Sequence, residues 1–286
     1  MREIKDIIKL IRPNQWIKNF FVLGPLIFSN SFMNRSILVT NLSTVLAFCF
    51  ISSTVYILND IVDREKDKNH PKKCNRPIAS GSISVEKGIF IGIFLITISI
   101  ITAIMINKNI LIIILIYLLN NILYSLKIKN IVIIDIFSIS VGFILRVLAG
   151  GVATGVHTSR WIILCTLFLS LFLGFGKRRN EVIMLGEKAD KHRKNLSEYS
   201  EDFLDKMISI VLTCTIVFYS IYCILGATTE KFIWTTLFVI WGILRYYYLM
   251  YSNGYGGSPT ELVLKDKQLI FCIFSWGIAC IGILNM

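Results

Sequence analysis

Apolar runs of eighteen or more residues recur along this sequence, separated by a few short connectors that hold most of its charge. A run of that length lets an α-helix cross the ~30 Å hydrocarbon core of a bilayer. The pattern predicts nine spanning helices, at roughly 16–33, 36–59, 84–106, 109–125, 131–155, 159–176, 204–227, 231–251 and 267–285. Ahead of them, residues 2–11 read as an amphipathic helix in the membrane interface, ended by Pro13. Stretches 60–83, 177–203 and 252–266 read as loops. No polar stretch is long enough to bury a core of its own, so the expectation is one integral membrane unit over 1–286. The predicted class is all-α and polytopic. No cleavable signal peptide is expected, because "MREIKDIIKLIRPNQWIKN" mixes charge with apolar residues throughout. Pro25 is expected to kink the first helix. Gly150, Gly151 and Gly155 are expected to permit close helix packing.

Composition agrees, with 55% hydrophobic residues, and charge adds an orientation. The net +12 would suit nucleic acid in a soluble protein. Here the distribution points elsewhere. Alternating connectors at 1–18, 60–88, 124–130, 177–206 and 245–268 hold 25 of the 30 Lys and Arg. The opposite side holds four, Arg35, Lys108, Arg160 and Lys231, and Arg146 falls inside a span. The cationic side also carries 16 of the 18 acids. The positive-inside rule then puts the N-terminus and every long connector in the cytoplasm, at the plasma membrane, with the C-terminus outside. The excess cations serve topology and anionic lipid or phosphate, with no nucleic acid partner. The seven cysteines form no CxxC pair and six lie in apolar runs, so neither disulfides nor zinc are expected.

The candidate chemistry sits in "ILNDIVDREKDKNHPKKCNRPIASGSIS", residues 57–84. If the second helix continues past Asn59, then Asp60, Asp63 and Asp67 share one face at i, i+3, i+7. A carboxylate costs about 2.5–3.5 kcal/mol at the bilayer centre, so these belong at the water interface or in a wet cavity. Like charges on one face are relieved by a divalent cation. Mg²⁺ takes one or two carboxylates plus substrate phosphates. The alternative is a solvated helix end, with Lys66 and Lys68 neutralising the acids. Lys72, Lys73 and Arg76 follow and suit phosphate oxygens; topology alone is their other reading.

Asn59-Asp60-x-x-Asp63-x-x-x-Asp67, then His70-Pro71 and Asn75-Arg76-Pro77-Ile78-Ala79-Ser80-Gly81, resemble the UbiA superfamily of intramembrane prenyltransferases. The resemblance implies a nine-helix bundle with a cytoplasm-facing cavity open sideways to lipid. It also implies Mg²⁺-diphosphate bound where the second helix ends. Members that move an isoprenyl group carry a second DxxxD motif after helix four. The matching stretch here, "YSLKIKNIVIIDIFSIS", has one acid, Asp135, and Ile139 stands four residues on. Other segments, "RPNQWIKNFFVLGPLIFS", "DIFSISVGFILRVLAGGVATG", "GKRRNE" and "GGSPTELVLKD", resemble the decaprenyl-phosphate phosphoribosyltransferase branch. That branch implies transfer of 5-phosphoribosyl from 5-phosphoribosyl 1-diphosphate to a polyprenyl phosphate, within a wall or surface polysaccharide pathway.

In this reading Asp60 and Asp63 hold Mg²⁺, with Asn59 and Asp67 supporting. Lys18, Arg64, Lys73, Arg76, Lys127, Lys129, Lys177, Arg178 and Arg179 supply cations for the phosphates, with Glu181 beside them and Arg245 on the same side. The acceptor, a phosphate monoester with a second pKa near ~6, is largely dianionic and needs no general base. His70, His157 and His192 form no constellation with a nucleophile. Tyr124 and Lys127 contact the donor, or are an interfacial aromatic and a snorkelling Lys. Asp135 is a phosphate-side acid, a ribose partner or a helix N-terminal charge. Arg146 is either functional or held in a structural pair. Ser258 or Thr260 is read as capping the last helix, with Glu261 near its start, or the stretch is a lid. Two rival functions remain: isoprenyl transfer to an aromatic or other acceptor, which needs the missing second clamp, and cation transport, which needs acids deep in the spans. The sequence leaves homo-oligomerisation open.

Overall fold

The computed structural model describes residues 2–29, 31–69, 73–185, 194–227, 229–252 and 259–285. Among the readings above, those on His70, Pro71, Lys72, His192 and Gly256 to Ser258 lie outside the described residues. No strand occurs among the described residues. The α-helices are α1 (Arg2–Ile11), α2 (Gly24–Phe28), α3 (Arg35–Val62), α4 (Arg64–Lys68), α5 (Val85–Ile106) and α6 (Lys108–Leu126). They continue with α7 (Ile134–Thr154), α8 (Arg160–Leu185), α9 (Glu201–Ile221), α10 (Thr236–Ser252), α11 (Pro259–Lys265) and α12 (Lys267–Leu284). Among the described residues, eight helical segments are long and apolar enough to cross a membrane. The protein is an integral membrane protein.

Local chemistry sets the breaks. Asn34, Ser84, Asn107 and Ser200 cap α3, α5, α6 and α9 by accepting from backbone N–H groups of the first turn. In the apolar windows of α3 and α7, 56% and 67% of residues are buried, against 22% for α5 and α6 and 17% for α12. The first pair forms the centre of the bundle. The others turn Phe90, Phe94, Leu119, Phe271 and Phe274 outward, as lipid-facing helices do.

The first predicted span takes another form. Residues Pro13–Leu23 are a 3-10 coil, followed by α2 and a short 3-10 turn at Ser31–Met33. Arg12 adopts a left-handed conformation (φ 57°) and Pro13 opens the coil, so α1 cannot run on into it. At about 2 Å per residue in the coil and 1.5 Å in α2, the segment reaches about 30 Å, the thickness of the hydrocarbon core. Pro25 starts α2 near its N-terminus, where a missing N–H costs nothing; it does not kink a longer helix.

Three further readings change. The stretch 177–203 is not all loop: α8 runs to Leu185 and carries the GKRRNE cations in helical register. Stretch 60–83 holds α4, and 252–266 holds α11. The last helix is capped by Asp266, which accepts from Leu269 N at 2.9 Å, so neither Ser258 nor Thr260 is needed as its cap.

Gly150 marks the closest approach of the coil to α7. A Cβ there would fall 1.9 Å from the Val22 carbonyl oxygen and 2.9 Å from its carbon. Both are backbone atoms, so the coil itself must move. Gly150→Ala is expected to destabilise the protein by about 1–3 kcal/mol, read as a lower thermal unfolding midpoint in detergent. Gly155 has another role: it ends α7 at φ 74° and a Cβ there meets nothing.

Candidate active site

The acidic stretch lies where α3 and α6 end side by side. Ser125 Oγ donates to Asn59 Oδ1 and Lys129 Nζ to Asp63 Oδ1, each at 2.6 Å and each 66 residues apart in sequence. The equal offset means that the two chains run parallel in one register, one turn separating the pairs. α3 stops at Val62, Asp63 is its C-cap, and α4 carries Asp67 onward. The three acids are therefore not on one uninterrupted helix.

Asp60 is the most enclosed acid of the stretch, at 1% exposure. Its Oδ1 accepts from Arg12 Nη2 and from Arg76 Nη1, the latter at 3.1 Å. The same Arg76 nitrogen donates to Asp67 Oδ2 at 2.6 Å, tying the two carboxylates together. Burial pushes the Asp67 carboxyl above its usual pKa, and the nearby Arg76 and Lys73 pull it back. The second oxygen of Asp60 is buried with no partner. An unpaired buried carboxylate oxygen is expensive, and a cation is the natural complement. No cluster of three or more His, Cys, Asp or Glu able to hold a metal by itself occurs among the described residues. The orphaned Asp60 oxygen, with Asp63 three residues on, would suit a Mg²⁺ ion that takes most of its ligands from phosphate and water.

A second cluster adjoins the first through Tyr124, the neighbour of Ser125. Arg178 is fully buried on α8 and spends its guanidinium on protein: Nε to Asp135 Oδ2 at 2.6 Å, Nη2 to Tyr124 Oη at 3.0 Å, and Nη1 to Glu181. Asp135 Oδ1 accepts from Tyr199 Oη at 2.8 Å. That hydroxyl in turn accepts from Ile133 N at 2.6 Å. Ile133 has φ 68°, a strained conformation for a β-branched residue that surrounding contacts must hold. Burial raises the Tyr199 phenol above its usual pKa, which keeps it a proton donor to Asp135.

A third group lies deeper. Arg146 is 5% exposed. It donates to Asn19 Oδ1 at 2.8 Å, Gly142 O at 2.7 Å and Tyr117 Oη at 3.0 Å. Its guanidinium carbon stands over the Tyr117 ring at 4.7 Å, the Phe143 ring at 5.5 Å and the Phe48 ring at 5.7 Å. Lys18, on the coil, stands in the fields of Arg12, Arg146 and Tyr124.

Several candidates are elsewhere. Arg179 pairs with Asp205 and stacks on Tyr251 at 4.1 Å, between α9 and α10. Lys177 is part-exposed, 3.9 Å from Glu181. Arg64 is half-exposed, 3.8 Å from Glu65. Lys127 is exposed at the C-cap of α6. Arg245 pairs with Asp266 at 2.8 Å. Lys73 remains within electrostatic reach of Asp67. Arg12, Ser125, Tyr199, Asn19 and Tyr117 are additions. Arg12 had a local signal, a cation beside the proline that opens the first span. The others are ordinary polar residues whose role depends on pairing across the bundle.

The UbiA prenyltransferase family model matches residues 22–260. A decaprenyl-phosphate phosphoribosyltransferase of Corynebacterium glutamicum is 32% identical over 278 residues, which is 94% of this chain and 83% of that protein. One of Mycobacterium tuberculosis is 30% identical over 285 residues, 98% of this chain and 94% of that protein. Among solved structures, a UbiA homolog from Archaeoglobus fulgidus bound to GPP and Mg²⁺ superposes with a TM-score of 0.76 at 20% identity, covering 97% of this chain and 99% of that one.

Proposed function

The chain belongs to the UbiA prenyltransferase family, and from that premise we propose that it transfers 5-phosphoribosyl from 5-phosphoribosyl 1-diphosphate to a polyprenyl phosphate. The relatives named above carry that branch's name along nearly the whole chain. The observation that carries the reading against isoprenyl transfer is Asp135. It is the lone acid where a second metal clamp would stand, and both its oxygens are taken by Arg178 and Tyr199. One metal station at Asp60 and Asp63 suits one diphosphate. Acids deep in the spans, which cation transport would require, are not seen among the described residues.

In this reading Asp60 and Asp63 would hold Mg²⁺, which would supply charge neutralisation on the departing diphosphate. Arg12 and Arg76, held on Asp60, and Lys129, held on Asp63, would share in neutralising that charge, and Asn59 and Asp67 would position the group. The bond between ribose C1 and the diphosphate oxygen breaks, its electron pair leaving with the diphosphate. A lipid phosphate oxygen bonds to C1 from the opposite face. No proton has to move. The whole chain acts as one membrane unit, with α1 in the interface and the N-terminus and Asp60 rim facing the cytoplasm.

Purified protein with Mg²⁺, decaprenyl or undecaprenyl phosphate and labelled phosphoribosyl diphosphate is expected to deliver label to the lipid phase. Label transferred only from an isoprenyl diphosphate would overturn the proposal.

A further inference from the structure

The coil Pro13–Leu23 repeats every three residues, and burial along it follows that period. Trp16, Asn19 and Val22 form its packed face: Trp16 Nε1 donates to Ser53 Oγ at 3.0 Å, and Asn19 Nδ2 approaches Cys49 Sγ and Ser52 Oγ at 3.2 and 3.3 Å. Asn14 and Phe20 are exposed, on the face turned outward. Gln15, Lys18 and Phe21 form the face between, half-buried throughout, with Phe21 against Phe143 at 5.0 Å. An α-helix over the same residues would rotate Lys18 by 100° per step instead of 120° and break this division.

Lys18 is half-buried and directly precedes Asn19, which accepts from Arg146 Nε at 2.8 Å. Arg12, Arg76, Lys129 and Arg178 each have an acid partner. Lys18 makes no ion pair or hydrogen bond among the described residues, and the cations in whose fields it stands are Arg12 and Arg146. Arg146 has only neutral acceptors and rings. Two neighbouring cations without a counter-charge, inside a bundle at membrane depth, are costly unless an anion joins them. Asn19 is anchored to residues eight to eleven positions before Asp60 on α3, so the coil meets α3 about 12–17 Å below the acid rim.

Resting on the function proposed above, we infer that Lys18, backed by the field of Arg146, receives the dianionic phosphate of the lipid acceptor, while the donor diphosphate stays at the Asp60 rim. The donor brings a divalent cation with it; a lipid phosphate brings none and needs cations that no acid has already neutralised. The Lys18 face adjoins the exposed face of the coil, so a head group entering from the bilayer meets it without crossing the rim.

Binding measured without turnover tests this, by thermal shift on the full chain in detergent. The probes are undecaprenyl phosphate and, separately, phosphoribosyl diphosphate with Mg²⁺. Lys18→Gln is expected to weaken undecaprenyl phosphate by about tenfold or more and to leave the donor within about twofold. Lys18→Arg should retain most of the lipid affinity. Weakening of the donor instead, or of neither probe, overturns the assignment. Should Lys18→Gln fail to fold, wild-type protein decides: undecaprenyl phosphate must bind tighter than its singly charged methyl ester at pH 8, and equal binding overturns the site. Lipid binding through Lys18 without any transfer of label would reject the proposed function and leave this site standing.

Discussion

Asp60→Asn is expected to reduce phosphoribosyl transfer by at least about a hundredfold, since metal-held charge stabilisation is worth several kcal/mol and each ~1.4 kcal/mol is a factor of ten. The substitution keeps the side chain's shape and removes its charge. It leaves Arg12 and Arg76 sharing a neutral oxygen, and it gives the unpartnered Oδ2 position to a group that binds Mg²⁺ poorly. Some stability will go too, because a buried acid paired with two guanidiniums is being neutralised. The assay is therefore read beside a thermal unfolding curve. Asp63 tests the metal role more sharply. Its visible partner is Lys129, at 2.6 Å. If pairing Lys129 were its whole task, the double variant Asp63→Asn with Lys129→Met would recover activity. If it holds Mg²⁺, the double variant keeps only a small residual activity, and that activity needs more Mg²⁺ to reach half its maximum. Asp60→Asn retaining half of wild-type transfer would remove the metal station from the scheme.

Much of this site was legible in the sequence because its signals are local. Asp60, Asp63 and Arg76 fall within one connector, and spacing alone puts them together. The spans were legible because a bilayer imposes a minimum apolar length. The first segment was not. Hydropathy counts residues per crossing and cannot separate an α-helix from a 3-10 coil of nearly the same apolar content. Here a left-handed Arg12 before Pro13 decides it. The extent of α8 was missed for the opposite reason. "GKRRNE" looks like a connector by charge, yet helical register puts Arg178 inward and Arg179 toward Asp205. Neighbouring arginines thus end in unlike places, a distinction that needs the partner helix. Tyr199 and Ser125 reach their partners from 64 to 66 residues away, so no window of sequence would select them.

Arg178→Ala should cost about 3–5 kcal/mol, the usual penalty for leaving a buried charge unpaired, which corresponds to a thermal midpoint lower by about 6–20 °C. Both partners are wholly enclosed, at 0% side-chain exposure. All three of the guanidinium's donor nitrogens are engaged, by Asp135, Glu181 and Tyr124, and Tyr199 occupies the remaining oxygen of Asp135. Two of its five N–H bonds remain, but the side chain has no exposed surface through which a phosphate could reach them. Its work is to fix the start of α7, the strained Ile133 and the end of α6 that carries Ser125 and Lys129 to the acid rim. Two measurements separate that positioning role from direct substrate contact. Replacing the pair together, Arg178→Met with Asp135→Leu, removes both charges at nearly constant volume and should restore most of the lost stability. Activity should then recover in step with stability, with the Michaelis constant for the donor close to wild type. Restored stability with a donor constant still raised tenfold would mean that Arg178 does reach the substrate. A single Arg178→Ala variant as stable as wild type would mean that the ion pair does not hold these helices together.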